Sequence, residues 1–199
     1  MKVIVIGATG AVGQAVVEEL GQRHDIITVG ASSGQYQADM ADIGQVRSLF
    51  ARVGKADAVV VTAGALHFGP LAEFTPEQFR IGLDSKLMGQ VNVALVAQEC
   101  LNDGGSITLT SGIVSEQPIR YGASASMVNS ALEGFVRGAA IELPRGLRIN
   151  VVSPTVLQES MDKYAPYFRG FEPVAASRAA LAYSRSVEGA QTGQVYRAW

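Results

Sequence analysis

Val3-Ile4-Val5-Ile6 runs without interruption into Gly7-Ala8-Thr9-Gly10-Ala11-Val12-Gly13, and Val12, Val16 and Leu20 then recur at helical spacing. An unbroken β-branched run is how a strand covered on both faces reads, and the 3.6-residue period marks an amphipathic helix behind it. Glycines alone are a weak signal, but glycines between a first strand and a helix are a specific one. In that setting Gly7 permits the tight turn, Gly10 lets the backbone approach a pyrophosphate, and Gly13 lets helix and strand pack closely. Ala8, Thr9 and Val12 complete the same turn. The free N–H groups and positive dipole end of the helix then face the phosphates. This start predicts a parallel α/β layer whose first turn is a candidate dinucleotide cradle.

A dinucleotide lacking a 2′-phosphate is held by a carboxylate about 20 residues further on, at the end of the second strand. Residues 26–29 read as that strand, and Gly30-Ala31-Ser32-Ser33 follows. No acid stands there to repel a 2′-phosphate, and Ser32 and Ser33 offer hydroxyl and backbone donors. The cofactor read from these residues is NADP, with NAD less favoured.

Downstream, short apolar runs alternate with helical periods, as in a doubly wound parallel sheet with helices on both faces, a Rossmann fold. Residues 58–61, 106–110, 147–152 and 193–197 read as strands. Asp42 is placed to cap a helix carrying Ile43, Val46, Phe50 and Val53. Thr75-Pro76-Glu77 opens a helical stretch that Leu87, Val91, Ala94 and Leu95 continue. Val128, Leu132, Phe135, Ala139 and Leu143 line one face of another long helix. Only residues 31–34 separate the second strand from a short candidate strand at 36–38. A helical crossover needs a dozen or more residues, so one outer helix is expected to be trimmed away, leaving the sheet edge near the adenine end open.

The 199 residues suit one domain, and 48% hydrophobic against 17% charged residues argues for a packed core. A net charge of −2 with scattered Lys and Arg excludes a nucleic-acid tracker and a polybasic membrane patch. No apolar run reaches the ~20 residues needed to span a bilayer. Glycines interrupt the opening MKVIVIGATG and no small-residue cleavage site follows, so it is not read as a signal peptide. The single cysteine, Cys100, reads as core filling in a reducing, cytoplasmic setting. No His/Cys/Asp/Glu cluster has metal-ligand spacing.

Over nearly its full length the chain resembles the short-chain dehydrogenase/reductase family. Asp39-Met40 resembles the acidic-apolar pair beside the adenine, and Thr62-Ala63-Gly64-Ala65 the family's Asn-Ala-Gly turn with Thr for Asn. Gly105 to Ser111 resembles the strand ending in the catalytic serine. Arg148-Ile149-Asn150-Val151-Val152-Ser153-Pro154 resembles the segment beside the nicotinamide, with Thr155 replacing Gly and Leu157 following. Thr192-Gly193-Gln194-Val195 resembles the closing strand. The resemblance implies hydride transfer with a Tyr proton donor, a Lys one helical turn later, an orienting Ser and an Asn that holds a water.

Two of those groups are missing. Asn129-Ser130-Ala131-Leu132-Glu133-Gly134-Phe135 matches the segment that begins with the family's Lys, so Ala125 takes the Tyr place and Asn129 the Lys place. A competing register starts at Tyr121-Gly122-Ala123-Ser124, but it puts Ala125 at the Lys place and forces a four-residue insertion. Upstream, Lys86 stands where the family has Asn. Ser111, Lys86, Tyr121 and Asn129 are therefore the catalytic candidates. His67 follows the Ala63-Gly64 turn and titrates near neutrality. Arg120 and Arg169 are possible anion anchors, and residues 155–172, with Tyr164, Tyr167 and Phe168, fit a substrate lid. Two readings follow: an NADP-dependent oxidoreductase with a non-standard proton donor, or an NADP-binding sensor without turnover. The substrate is not legible. By resemblance the helices around residues 83–101 and 128–143 pair in a homodimer or homotetramer.

Overall fold

A computed structural model describes residues 1–199. β1 (Lys2–Ile6) runs through the middle of the sheet, with β2 (Asp25–Gly30) and β4 (Ala56–Val61) parallel on either side, and its Val3, Ile4 and Val5 are wholly buried. The remaining strands are β3 (Tyr36–Gln37), β5 (Leu101–Thr110), β6 (Arg148–Pro154) and β7 (Val195–Ala198). Every pairing is parallel, in the order β3-β2-β1-β4-β5-β6-β7. Strand order reverses between β1 and β4, which opens a crevice at the carboxyl ends where α/β sheets bind ligands.

The helices are α1 (Ala11–Gly21), α2 (Ile43–Val53), α3 (Pro76–Gly82), α4 (Gly89–Cys100), α5 (Ala123–Ala139), the one-turn α6 (Met161–Tyr164) and α7 (Ala176–Glu188). Ile4, Ile6, Val59, Val61 and Ile107 form one apolar layer with Phe50, Val93 and Leu132 of α2, α4 and α5. Val3, Val5, Ala58 and Val60 form the other with Val16, Leu20 and Tyr183 of α1 and α7. Successive side chains of a strand point to opposite faces, so the unbroken apolar strands supply both layers. No helix is long and apolar enough to cross a membrane.

The trimmed crossover is present. β2 pairs with β3 only at Val29–Tyr36 and Gly30–Gln37, with no helix between. The side chains hold this short loop together: Thr28 N–H donates to Gln35 Oε1 at 2.9 Å and Gln35 N–H to Thr28 Oγ1 at 3.1 Å. Asp42 caps α2 through Gly44 N–H at 2.8 Å, and Thr75 with Gln78 forms a reciprocal capping box at α3.

Two expectations need correction. Leu95 is 41% exposed, while Ala94 lies with Val93, Val96 and Ala97 on the buried face of α4. Leu143 lies beyond the end of α5, in the turn that follows Ala139. α7 buries one face at helical spacing, and its small residues let it lie close on the sheet, with Ala179, Ala180 and Tyr183 wholly buried.

Candidate active site

The first turn is shaped as a cradle. Gly7 has φ +86°, and a Cβ there would come within 2.8 Å of Thr62 Oγ1 and 2.9 Å of the Ala63 methyl. A Cβ on Gly13 would overlap the Gly7 carbonyl oxygen. Gly10 is the N-cap of α1 and offers no side-chain cap, and the first turn carries no acid. The N–H groups of Ala11, Val12 and Gly13 thus have no helical acceptor and are free for an anion. Ala8 is buried beneath the turn and Thr9 is exposed on it.

Around the cradle, Ser32 and Ser33 are exposed, and Ser33 Oγ reaches Thr9 Oγ1 at 3.4 Å, so the β2 loop and the glycine turn share one surface. Asp39 is exposed and its carboxylate accepts Ala41 N–H at 2.9 Å. Met40 is buried against Gly89, and Asn92 Nδ2 donates to the carbonyls of Met40 and Ala41 at 3.1 and 3.2 Å. Thr62 Oγ1 donates to the Ile6 and Gly7 carbonyls, both at 3.1 Å, and Ala65 N–H donates to Ser85 Oγ at 3.0 Å. These residues fit a dinucleotide: open backbone donors for the pyrophosphate, a glycine cradle that any Cβ would fill, and no carboxylate at the end of β2.

At the carboxyl ends of β5 and β6 lies a cavity of about 180 Å³. Lys86, Ser111, Asn129, Pro154, Thr155 and Leu157 line it, with Leu66, Phe68, Tyr164 and Phe168 over them. It is smaller than the ~300–1,000 Å³ typical of drug-sized pockets. Lys86 stands on the π-helical turn, a deviation often found at functional sites. Gly64 makes room for it: a Cβ there would lie 2.6 Å from Lys86 Cγ. Lys86 Nζ donates to the Ser111 carbonyl at 3.0 Å, and burial pulls the amine down to about 8.

Ser111 is buried at the end of β5, and its Oγ donates to Glu133 Oε1 at 3.0 Å. Ser115 Oγ reaches the same oxygen at 2.6 Å. Asn129 is buried one turn before Glu133 on α5, and its Oδ1 has no partner. Thr155 Oγ1 likewise has none. Ala125 puts a fully buried methyl on the cavity wall.

Tyr121 does not join this group. Its backbone is left-handed, at φ +68°, and its carbonyl accepts Gly69 N–H at 3.1 Å. Its ring stacks edge-on to Tyr167 with centroids 6.4 Å apart, under the Arg120 guanidinium at 5.2 Å. Tyr121, Arg120 and Arg169 line a separate outer pocket that shares no residue with the Ser111 cavity. His67 packs edge-on against Phe74 at 5.2 Å and is absent from the cavity wall. The sequence reading missed Glu133, although it sits one turn beyond Asn129 in the matched segment, an acid on the face that Asn129 shares.

A family model described as enoyl-(acyl carrier protein) reductase matches residues 2–196. The chain is similar to an uncharacterised oxidoreductase of Methylorubrum extorquens, 27% identical over 76% of this chain and 71% of that one. It is also similar to a versicolorin reductase of Emericella nidulans, 28% identical over 79% of this chain and 69% of that one. Among solved structures, the protein lin1944 from Listeria innocua is 48% identical, with a TM-score of 0.98 and full coverage of both chains. A small-chain dehydrogenase solved in complex with NADPH is 25% identical, with a TM-score of 0.88 over 99% of this chain and 95% of that one. Together with the seven-stranded parallel sheet and the glycine cradle on β1, the match across nearly all of its residues places the chain in the short-chain dehydrogenase/reductase family.

Proposed function

We propose that the chain is a cytoplasmic NADP(H)-dependent oxidoreductase that interconverts a small carbonyl compound and its alcohol, with Lys86 replacing the family's tyrosine in proton transfer. The observation that carries this reading is the desolvated amine of Lys86 in the same small cavity as Ser111. The NADPH complex of a structural neighbour and the reductases among the relatives support the cofactor and the reaction class.

The cradle from Gly7 to Gly13 would hold the pyrophosphate, Ser32 and Ser33 the 2′-phosphate, and Asp39 with Met40 the adenine end. Ala63, Gly64 and Ala65 border the middle, and Pro154, Thr155 and Leu157 the nicotinamide end. When bound, the dinucleotide supplies or accepts the hydride. Lys86 spends one N–H on the Ser111 carbonyl and keeps the others for a substrate oxygen. Below pH about 8 it is an ammonium that can protonate that oxygen; above, it is an amine that can take a proton back. Ser111 and Asn129 orient the oxygen, while Leu66, Phe68 and Phe168 give the site an apolar border.

The test is absorbance of NADPH against a panel of small aldehydes, ketones and quinones. Turnover that disappears in Lys86→Met and in Ser111→Ala supports the enzyme. The sensor reading is favoured by one feature, Ala125 and Asn129 at the Tyr and Lys places. Tight NADP binding without turnover across the panel would select it. We further propose a homodimer through α4 and α5, supported by an apolar groove that Ala94, Leu95, Phe135 and Ala139 line. Sedimentation of Leu95→Lys as a monomer would support it.

A further inference from the structure

Glu133 takes no part in the path through Lys86. It is 5% exposed on α5, and none of the molecule's ion pairs includes it. A buried acid needs compensation, and here Oε1 faces two hydroxyls, Ser115 at 2.6 Å and Ser111 at 3.0 Å. Ser115 also has the Gly112 carbonyl at 3.0 Å, whereas the Ser111 hydroxyl makes no second hydrogen bond. A hydroxyl has one proton and two lone pairs. With the Ser111 proton directed into α5, only lone pairs remain for the cavity.

We infer that Glu133 is a positioning residue that makes Ser111 a hydrogen-bond acceptor toward the cavity, so that the group docking on Ser111 is a donor, the hydroxyl of an alcohol. The inference rests on the proposed function only in taking this cavity as the substrate site. Asn129 Oδ1 is sealed off from this wall, and the Asn129 amide offers its Nδ2 donor beside Gly112. An alcohol meets this wall with both of its capacities, donating to Ser111 and accepting from Lys86. A carbonyl oxygen can accept from Lys86 and Asn129 but leaves the lone pairs of Ser111, itself only 3% exposed, without a donor, which is penalised at a buried oxygen. The polarity of the site therefore holds the alcohol better than the matching carbonyl compound.

The probes are cyclohexanol and cyclohexanone, titrated by ligand-observed NMR into the full chain without dinucleotide. The wild type is expected to bind the alcohol about tenfold more tightly, the effect of one unmatched buried hydrogen-bonding group. Ser111→Ala should bring the two affinities within about twofold. Glu133→Leu should do the same, because the freed Ser111 hydroxyl then donates as readily as it accepts. Glu133→Gln, whose amide oxygen still accepts both hydroxyls, should keep most of the preference, a rescue that a merely space-filling role would not produce. If Glu133→Leu does not fold, Ser111→Ala and Glu133→Gln decide the matter. Equal affinities in the wild type, no binding of either probe, or a preference unchanged in Ser111→Ala would overturn the inference. Calorimetry with NADP tests the enzyme reading separately. An alcohol preference without NADP affinity would sink that reading alone, and NADP affinity without the preference would sink this one.

Discussion

Lys86→Met is expected to stabilise the fold at neutral pH while removing turnover. Burial lowers the Lys86 amine from 10.5 to about 8, a differential penalty on the charged form of about 3 kcal/mol. Lys86 is partly exposed, so screening reduces this to about 2 kcal/mol. Losing the hydrogen bond to the Ser111 carbonyl returns about 1 kcal/mol of that. The net gain at pH 7 is about 1 kcal/mol, or ~2–4 °C in Tm for a chain of this length. The pH dependence is diagnostic. Below pH about 8 the amine is charged in both folded and unfolded chains, and the penalty is present in full. Between about 8 and 10.5 the folded chain gives up its proton first while the unfolded chain retains it, so wild-type stability rises with pH. The advantage of Lys86→Met should therefore shrink across that window and turn above it into a deficit of about 1 kcal/mol, the lost hydrogen bond. Urea denaturation at pH 7, 9 and 10.5 measures this. A variant less stable than wild type at pH 7, or an advantage that does not change with pH, would refute a desolvated amine at this site.

Gly13→Ala places a methyl against the Gly7 carbonyl; NADP affinity by calorimetry should be lost, with a stability cost of about 1–3 kcal/mol. Gly64→Ala forces a Cβ to within 2.6 Å of Lys86 Cγ at φ +146°, so turnover should fall while NADP binding, which needs only the cradle, persists. Ser32→Asp restores an acid at the end of β2 and should turn the cofactor preference from NADP toward NAD by tenfold or more, about 1.4 kcal/mol, in paired binding titrations. Tyr121→Phe should leave turnover unchanged, because Tyr121 lines the outer pocket and not the Ser111 cavity.

Local rules carried much of this protein. The β1 turn was legible because an apolar strand, three glycines and a helical stripe must coincide for a phosphate cradle. The Asp42 and Thr75 caps were legible because capping is decided within three residues. The missing crossover was readable from chain length alone. Elements set by packing were not. α7 went unread because the residues at its buried helical spacing, Ala176, Ala179, Ala180 and Tyr183, are mostly small and carry little apolar signal. On α4 the apolar Leu95 falls outside the buried face that Ala94 shares with Val93, Val96 and Ala97, because α4 is apolar nearly all round.

At the site, the sequence by itself supplied the candidates, Ser111, Lys86, Asn129 and Tyr121, and by resemblance the expectation that Ala125 takes the Tyr place. Only the tertiary structure decided which of them meet. It brought Lys86 to the Ser111 carbonyl across the space left by Gly64, set Glu133 behind the Ser111 hydroxyl, and sent Tyr121 to another pocket. The physical reason is range. Turns, caps and periods are fixed by neighbours along the chain, whereas hydrogen-bond direction and desolvation depend on side chains that only folding brings within 3 Å of one another.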